Sequence, residues 1–177
     1  MIKRITDFPH TAFIGIGTNK GDKLANIRFA LNEIDELDSS SIENVSSIYE
    51  TLPMGEIQQE NYFNAVIKIK TKLLPEDLFS FLNSIEKKAG RIKREHWGPR
   101  ELDLDILFYD DIIYSKNELI IPHYGVVERD FVLVPLIEIE PHLVHPISKV
   151  ELSELLKNLQ TKKVLNKINE NIKAITV

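Results

Sequence analysis

Residues 96–107 read HWGPRELDLDIL. Gly98-Pro99 predicts a turn that ends the preceding element. Beyond the turn, apolar and acidic positions alternate, which is typical of a strand. The apolar positions are Leu102, Leu104, Ile106 and Phe108. Because side chains alternate between the two faces of a strand, we expect Asp103 and Asp105 to point the same way.

Two neighbouring carboxylates on one face repel each other. At roughly 6 Å and an effective dielectric of about 20, the repulsion is about 2.8 kcal/mol, so a buried pair needs a cation or a shared proton. Mg²⁺ takes one or two carboxylates and completes its shell with water and substrate phosphates. Arg100, just upstream, offers a planar fork for phosphate oxygens. The alternative is a solvated strand on which Arg100 pairs with one of the aspartates.

Composition limits the class of protein. The chain has 177 residues, which predicts one domain over 1–177, with a core at about 12–160 and an unassigned tail at 161–177. It contains no cysteine, which excludes disulfides, thiolate metal sites and thiol nucleophiles. No apolar run approaches the ~20 residues of a membrane span. The net charge of −5 argues against a general nucleic-acid surface. We therefore expect a cytoplasmic monomer that binds neither membrane nor nucleic acid.

The periodicity of the remaining chain predicts the order strand, helix, strand, strand, helix, strand. These elements are a strand over Thr11–Gly17, a helix capped by Asp22, strands over Ile42–Thr51 and Tyr62–Lys70, a helix from Pro75 to Gly90, and the strand of the two aspartates. This is the α+β, ferredoxin-like βαββαβ arrangement, an antiparallel sheet with both helices on one face.

A hairpin and helices are expected beyond this core. The predicted features are a hairpin in which Asp110-Asp111 turns the chain into Ile112–Tyr114, an edge segment at Leu119–Ile121, a helix over Phe131–Ile139, and a helix over 152–159 with a capping box of Ser148 and Glu151.

Two further patterns leave alternatives open. Gly15-x-Gly17-x-x-x-Gly21 is close to a dinucleotide-binding fingerprint, but its spacing is off by one and two strands follow the helix. His142 and His145 could form a metal pair, but they lie between two prolines, so a surface loop is favoured.

The run around Asp103 also carries a resemblance. The pattern Trp97-Gly-Pro-Arg-x-x-Asp-Leu-Asp-Ile-Leu resembles the signature of the 6-hydroxymethyl-7,8-dihydropterin pyrophosphokinase family of folate biosynthesis. The resemblance covers about residues 12–160, and the fold of that family is ferredoxin-like. It is supported by Gly17-Thr18-Asn19, Tyr62-Phe63-Asn64-Ala65, Gly90-Arg91 and Pro122-His123-Tyr124 with Arg129 and Phe131.

The resemblance implies a reaction and its residues. The pterin hydroxymethyl oxygen would attack the β-phosphorus of ATP, pyrophosphate would move as a unit, and AMP would leave. Asp103 and Asp105 would hold two Mg²⁺ ions, and together with Arg91 and Arg100 they would form the catalytic set. The ATP side would comprise Glu86, Arg91, Lys93, His96, Trp97, Arg100, Ile106, His123, Tyr124 and Arg129. The pterin side would comprise Thr51, Leu52, Met54, Tyr62, Asn64, Trp97, Asp103 and Phe131.

Three residues depart from the pattern of the family, and two other functions are compatible with the sequence. Lys93 and His96 stand where many members carry arginine, and Glu118 replaces a basic or neutral residue of some members. A ferredoxin-like regulatory module that senses a small ligand is one alternative function. A different Mg-dependent phosphotransferase is another, although the absence of a Walker A pattern means that ATP would bind by other means.

Overall fold

The computed structural model describes residues 8–55, 57–92 and 98–169. Its strands are β1 (His10–Thr18), β2 (Ser40–Val45), β3 (Ile48–Thr51), β4 (Tyr62–Thr71), β5 (Asp103–Tyr109), β6 (Tyr114–Lys116), β7 (Leu119–Ile121) and β8 (Val164–Ile168). Its helices are α1 (Lys23–Asp35), α2 (Pro75–Lys88), α3 (Asp130–Ile139) and α4 (Leu152–Asn158), with a 3₁₀ helix at Tyr124–Val127. None of the helices described is long and apolar enough to cross a membrane.

The main sheet has the order β5-β1-β4-β3-β8, and β2 also pairs with β4. Strand β1 is central and runs antiparallel to both of its neighbours, β4 and β5. The predicted ferredoxin-like core is therefore confirmed. The dinucleotide-binding alternative is wrong, because that fold requires parallel neighbours around its first strand.

Each face of the sheet carries its own apolar core. One core joins the sheet to α1 and α2, so both predicted core helices do lie on one face. The other joins the opposite face to α3 and α4. The predicted N-cap of α1 and the predicted glycine at the end of α2 are confirmed. The Asp22 carboxylate accepts from the Ala25 amide at 3.0 Å, and Gly90 follows α2 with φ +85°. Layers on both faces explain why β1 buries Ala12, Ile14 and Ile16 on one face and Phe13 on the other.

The predicted strand over Ile42–Thr51 is broken into β2 and β3. The break falls at Ser46 and Ser47, where side chains compete with the ladder. The Ser47 amide donates to the Glu138 carboxylate at 2.9 Å, and its hydroxyl does so at 2.7 Å. The Ser46 hydroxyl accepts from the Val66 amide at 2.9 Å. A pattern of alternating residues could not reveal this break, because its main partner lies on α3.

A bulge in β5 interrupts the predicted alternation, which is therefore wrong at Phe108. Ile14 pairs with Ile106 and Phe13 with Phe108, which leaves Leu107 as the extra residue. Ile106 thus faces α1 and α2, whereas Phe108 packs with α3 and α4. One extra residue reverses the face of every later side chain on a strand.

The predicted hairpin between β5 and Ile112–Tyr114 is also wrong. Asp110, with φ +43°, turns the chain while its amide donates to the Thr11 carbonyl at 2.7 Å and its carboxylate accepts from the Thr11 amide at 2.8 Å. The hairpin forms instead between β6 and β7. Asp110 stays attached to β1, so the chain leaves the main sheet before it pairs again.

The C-terminal part differs from the predictions at three places. Helix α4 begins after Glu151 without a side-chain cap, and the Ser148 amide and hydroxyl contact His145 instead, so the capping box is wrong. His145 is buried against Phe108, while His142 is exposed, so the surface-loop interpretation holds for His142 alone. Helix α3 is confirmed, and β8 occupies part of the tail that the sequence pattern left unassigned.

Candidate active site

A cleft opens on the sheet face that carries α3. Three adjacent strands form its floor. Gly15 and Gly17 lie on β1, with Asn64 across on β4 and the two aspartates across on β5. Gly17 pairs with both Asn64 and Asp103, and Gly15 pairs with Asp105. Polar groups from three strands therefore converge on one concave surface, as they do at small-molecule sites.

Position 17 leaves little room for a side chain. A Cβ atom there would lie 3.1 Å from Asn64 Oδ1, closer than the side chain tolerates without moving. Sequence reasoning missed Gly15 and Gly17 as site residues. The available signal was their spacing of two within a buried strand, since glycine inside a strand often marks the close approach of a ligand or another group.

Asp103 and Asp105 both line the cleft, as the alternation along β5 predicts. Asp103 is paired on both oxygens: Oδ1 lies 2.8 Å from Arg91 Nη1, and Oδ2 lies 2.5 Å from Arg100 Nη1. Asp105 Oδ2 lies 4.0 Å from His123 Nε2. Desolvation at the cleft floor, and then the charges of Asp103 and Glu86, raise the pKa of Asp105 well above its ordinary value. This acidic position would therefore gain from a cation.

Glu86 and Ile106 do not reach the cleft with their side chains. Glu86 is buried on α2, where it accepts from the Leu104 amide at 2.7 Å and forms an ion pair with Arg91. It thus holds the backbone of β5 between the two aspartates and supports Arg91 from behind. Ile106 is buried on the opposite face of β5, in the core beside α1 and α2.

One end of the cleft is aromatic and amide-lined. Its lining side chains include Leu52, Met54, Tyr62, Asn64 and Phe131. The Tyr62 hydroxyl donates to the Gly98 carbonyl at 3.2 Å. The Asn64 Nδ2 donates to Thr51 Oγ1 at 2.7 Å, so Thr51 is buried behind Asn64 and fixes the orientation of its amide. This end can take a flat ring with hydrogen-bonding edges.

The adjoining part of the cleft carries imidazole and guanidinium groups, and the Arg129 guanidinium lies 5.9 Å from the centre of the Phe131 ring. The His123 ring stacks near Tyr124 with centroids 4.5 Å apart, and its Nδ1 accepts from the Gly125 amide at 3.1 Å. Burial, and then the charge of Arg129, lower the pKa of His123 to about 4, so the ring is neutral with its proton on Nε2. Arg129 lies over the Tyr124 ring at 5.3 Å. A nitrogen donor and a cation here suit a phosphate-bearing ligand.

Asn19 joins the two sides of the cleft and was missed as a candidate, although the resemblance includes Gly17-Thr18-Asn19. Asn19 is buried, and its side-chain Oδ1 accepts from the backbone amide of Arg100 at 2.8 Å. The backbone amide of Asn19 donates to the Arg100 carbonyl at 3.0 Å. Its Nδ2 donates to Gln59 at 2.9 Å and to the Glu60 carbonyl at 3.0 Å. Asn19 therefore locks the backbone of Arg100 to the loop that leads into Tyr62.

Some predicted site residues cannot be placed. Lys93, His96 and Trp97 lie outside the described residues. Glu118, the other departure from the family, is exposed in the turn between β6 and β7 and does not line the cleft. Within the described ranges no group of three or more His, Cys, Asp or Glu side chains could hold a metal ion by protein ligands alone.

Comparison with known proteins identifies relatives along most of the chain. The family model for 7,8-dihydro-6-hydroxymethylpterin-pyrophosphokinase (HPPK) matches residues 13–141. The 2-amino-4-hydroxy-6-hydroxymethyldihydropteridine pyrophosphokinase of Aquifex aeolicus is 41% identical over 144 residues, which cover 81% of this chain and 89% of that protein. The protein of the same name from Haemophilus influenzae is 40% identical over 155 residues, which cover 88% and 96% of the two chains.

Longer proteins contain a similar segment. The folic acid synthesis protein fol1 of Schizosaccharomyces pombe is 42% identical over 148 residues, which make up 84% of this chain and 20% of that protein. Among solved structures, the wild-type HPPK-DHPS of Plasmodium falciparum superposes with a TM-score of 0.66 at 15% identity, covering 84% of this chain and 44% of that chain. This chain thus spans less than half of the solved protein, and the likeness shows the fold alone.

Proposed function

This chain belongs to the 7,8-dihydro-6-hydroxymethylpterin pyrophosphokinase family, and we propose that the cleft over β1, β4 and β5 is where its reaction takes place. The enzyme transfers pyrophosphate from ATP to the hydroxymethyl group of 6-hydroxymethyl-7,8-dihydropterin and releases AMP, in folate biosynthesis. Family membership decides against the regulatory module and the other phosphotransferase. The observation that carries the assignment of the cleft is the acidic pair of β5, which faces the cleft. Asp103 is paired there with Arg100, which lines the cleft, and with Arg91, which does not.

Asp103 and Asp105 would hold two Mg²⁺ ions. The donor set fits this ion, because Mg²⁺ usually binds through one or two carboxylates and takes its other ligands from water and substrate phosphates. The raised pKa of Asp105 supports the same assignment, since desolvation and the charges of Asp103 and Glu86 disfavour its ionised form until a cation binds. Bound there, Mg²⁺ would neutralise and orient the phosphate groups of ATP.

Arg91 and Arg100 would change partners when ATP binds. Both guanidinium groups contact Asp103, and Arg91 is also paired with the buried Glu86. Glu86 would keep Arg91 near the cleft, while the fork of Arg100 would turn to phosphate oxygens. Planar guanidinium groups suit these oxygens because they can donate two parallel hydrogen bonds.

The two parts of the cleft would bind the two substrates. Tyr62 and Phe131 would enclose the pterin ring, Asn64 would bond its edge, and Leu52 and Met54 would complete the wall. His123, Tyr124 and Arg129 would receive ATP. The pterin hydroxymethyl oxygen would then form a bond to the β-phosphorus as the bond from that phosphorus to the oxygen of AMP breaks, and the hydroxyl proton would pass to water. Positioning and charge neutralisation are the main contributions that a protein makes to such a transfer.

Two broader properties belong to this proposal. The two apolar cores share one sheet, which supports one domain over residues 1–177, and we propose that this domain acts as a monomer. The absence of cysteine is compatible with a reducing compartment and supports action in the cytoplasm.

The assignment is tested by replacing the acids. We expect Asp103→Ala and Asp105→Ala each to lower turnover by about 10³ or more, because a catalytic metal contributes several kcal/mol and each 1.36 kcal/mol is tenfold in rate. Calorimetry should show that Mg²⁺ no longer strengthens ATP binding in either variant. Asp111→Ala, at an exposed acid after β5, is the matched control. Turnover within about tenfold of wild type at saturating Mg²⁺ would reject the metal assignment.

A further inference from the structure

The C-terminal segment Lys163–Ile168 lies beyond residues 13–141, the part of the chain that the family model matches. We propose that this segment is a positioning element of the active site, which holds the two walls of the pterin end at their correct separation. The proposal rests on the assignment of Leu52, Met54 and Phe131 to the pterin, made above. We call this segment the C-terminal clamp.

The clamp contacts the loop that follows β3, which forms the first wall of the pterin end. The Leu52 amide donates to the Lys163 carbonyl at 2.9 Å, and Lys163 Nζ donates to the Pro53 carbonyl at 2.9 Å. Leu52 lines the cleft itself, and Met54 follows one residue after Pro53. Both backbone and side chain of one residue therefore fix the path of the loop that forms this wall.

The clamp also contacts a buried acid at the start of α3, which forms the second wall of the pterin end. Asp130 is 3% exposed, and its Oδ2 accepts from the amides of Lys163 at 2.7 Å and Val164 at 2.9 Å. Asp130 is the first residue of α3 and lies between Arg129 and Phe131, which both line the cleft. A buried carboxylate with two backbone donors is a rigid connection, because losing either side leaves a polar group unsatisfied.

Val164, the first residue of β8, also pairs with Thr51, so the clamp and the sheet meet at that residue. Beyond it, β8 pairs with Ile48, Tyr49 and Glu50 of β3, and Lys167 Nζ lies 3.3 Å from Glu138. Those contacts complete the sheet edge and touch no cleft residue. Lys163, by contrast, lies before β8 and contacts a cleft loop and the start of α3. Lys167 therefore serves as a control on the same segment.

The first test compares kinetic constants in the full-length enzyme. We expect Lys163→Met to raise the KM for the pterin by about three- to tenfold, the scale of one hydrogen bond, and to leave the KM for ATP within about twofold. Asp130→Ala should raise the pterin KM by about tenfold or more, and Asp130→Asn, which keeps an acceptor oxygen, should recover most of that loss. Lys167→Met should leave both constants unchanged, even where it lowers the melting temperature.

The second test is hydrogen exchange at the Leu52 amide, which reports the clamp without any activity. Asp130→Ala should speed its exchange by about tenfold, Asp130→Asn much less, and Lys167→Met not at all. Pterin constants and Leu52 exchange that match wild type in both Lys163→Met and Asp130→Ala would overturn the clamp. A rise confined to the KM for ATP would overturn the assignment of the pterin end, and with it this proposal, while leaving the metal site at Asp103 intact.

Discussion

At the scale of single residues, the cleft depends on groups that carry little chemistry of their own. Gly17 leaves room between Asn64 and Asp103, and Asn19 fixes the backbone that presents Arg100. Neither is a candidate for contact with phosphate. Both set the distances between groups that are, and small errors in such distances cost a large share of the rate.

Gly17→Ala tests the floor of the cleft. The new methyl group would press on Asn64 Oδ1, whose amide is already fixed by Thr51, so the pterin edge contact should be displaced. We expect the pterin dissociation constant to rise by about tenfold or more in calorimetry. Binding of MgATP is the internal control and should change little. Equal weakening of both ligands would instead indicate a general loss of structure.

Asn19→Ala tests the lock on Arg100. Removing the side chain leaves the Arg100 amide without its acceptor, which should lower the free energy of unfolding by about 1–3 kcal/mol. Turnover should fall by about 10- to 100-fold, because the backbone that positions the Arg100 guanidinium is held less firmly. Asn44→Ala is the control, since Asn44 bonds only the amide of the next residue among its described contacts. Turnover like that of wild type would show that Arg100 is positioned by other contacts.

At the scale of elements, α3 is tied to the sheet where β2 gives way to β3. Glu138 of α3 accepts from the Ser47 amide, the Ser47 hydroxyl and the Tyr49 hydroxyl, at 2.7 to 3.0 Å. Burial opposes its ionisation, but these hydrogen bonds outweigh burial and lower the pKa of Glu138. The ionised carboxylate is therefore the form that holds the C-terminal turn of α3 against the sheet.

Glu138→Gln should lower the free energy of unfolding at pH 7 by about 1–3 kcal/mol. Because the pKa of Glu138 is lower in the folded than in the unfolded state, its contribution is complete above the unfolded value of about 4.3 and is lost as the pH falls through the folded value. The difference between variant and wild type should therefore shrink in urea unfolding at low pH. Glu154→Gln, at an exposed position on α4, is the control. A difference independent of pH would contradict this account.

At the scale of the whole molecule, the cleft is walled by the sheet, the 3₁₀ helix and the start of α3. A ligand that contacts all three binds only the folded chain. It must therefore stabilise the complete fold.

We expect the pterin at 100 times its dissociation constant to add about 2.7 kcal/mol to stability and to raise the melting temperature by about 5–11 °C in calorimetry. MgATP should behave similarly in the wild type and much less so in Asp103→Ala, because that variant lacks half of the acidic pair. An equal shift by MgATP in the two proteins would mean that ATP is held without Asp103.

What the sequence alone determined is local. The face shared by Asp103 and Asp105, the order of the core elements, the Asp22 cap and the turn at Gly90 all follow from patterns within a few residues, because side-chain period and capping act over that distance. The signature around Asp103 also identified the family. What the tertiary structure decided is which distant groups meet. The break at Ser47 depends on Glu138, the bulge at Leu107 depends on the pairing with β1, and the tail finds β3 and Asp130 only in the folded chain. The role of Gly17 has the same cause. Asn64 and Asp103 lie 47 and 86 positions away in the chain and become neighbours of Gly17 only when the sheet forms. Those neighbours, rather than the glycine pattern, show that Gly17 belongs to the floor of the cleft.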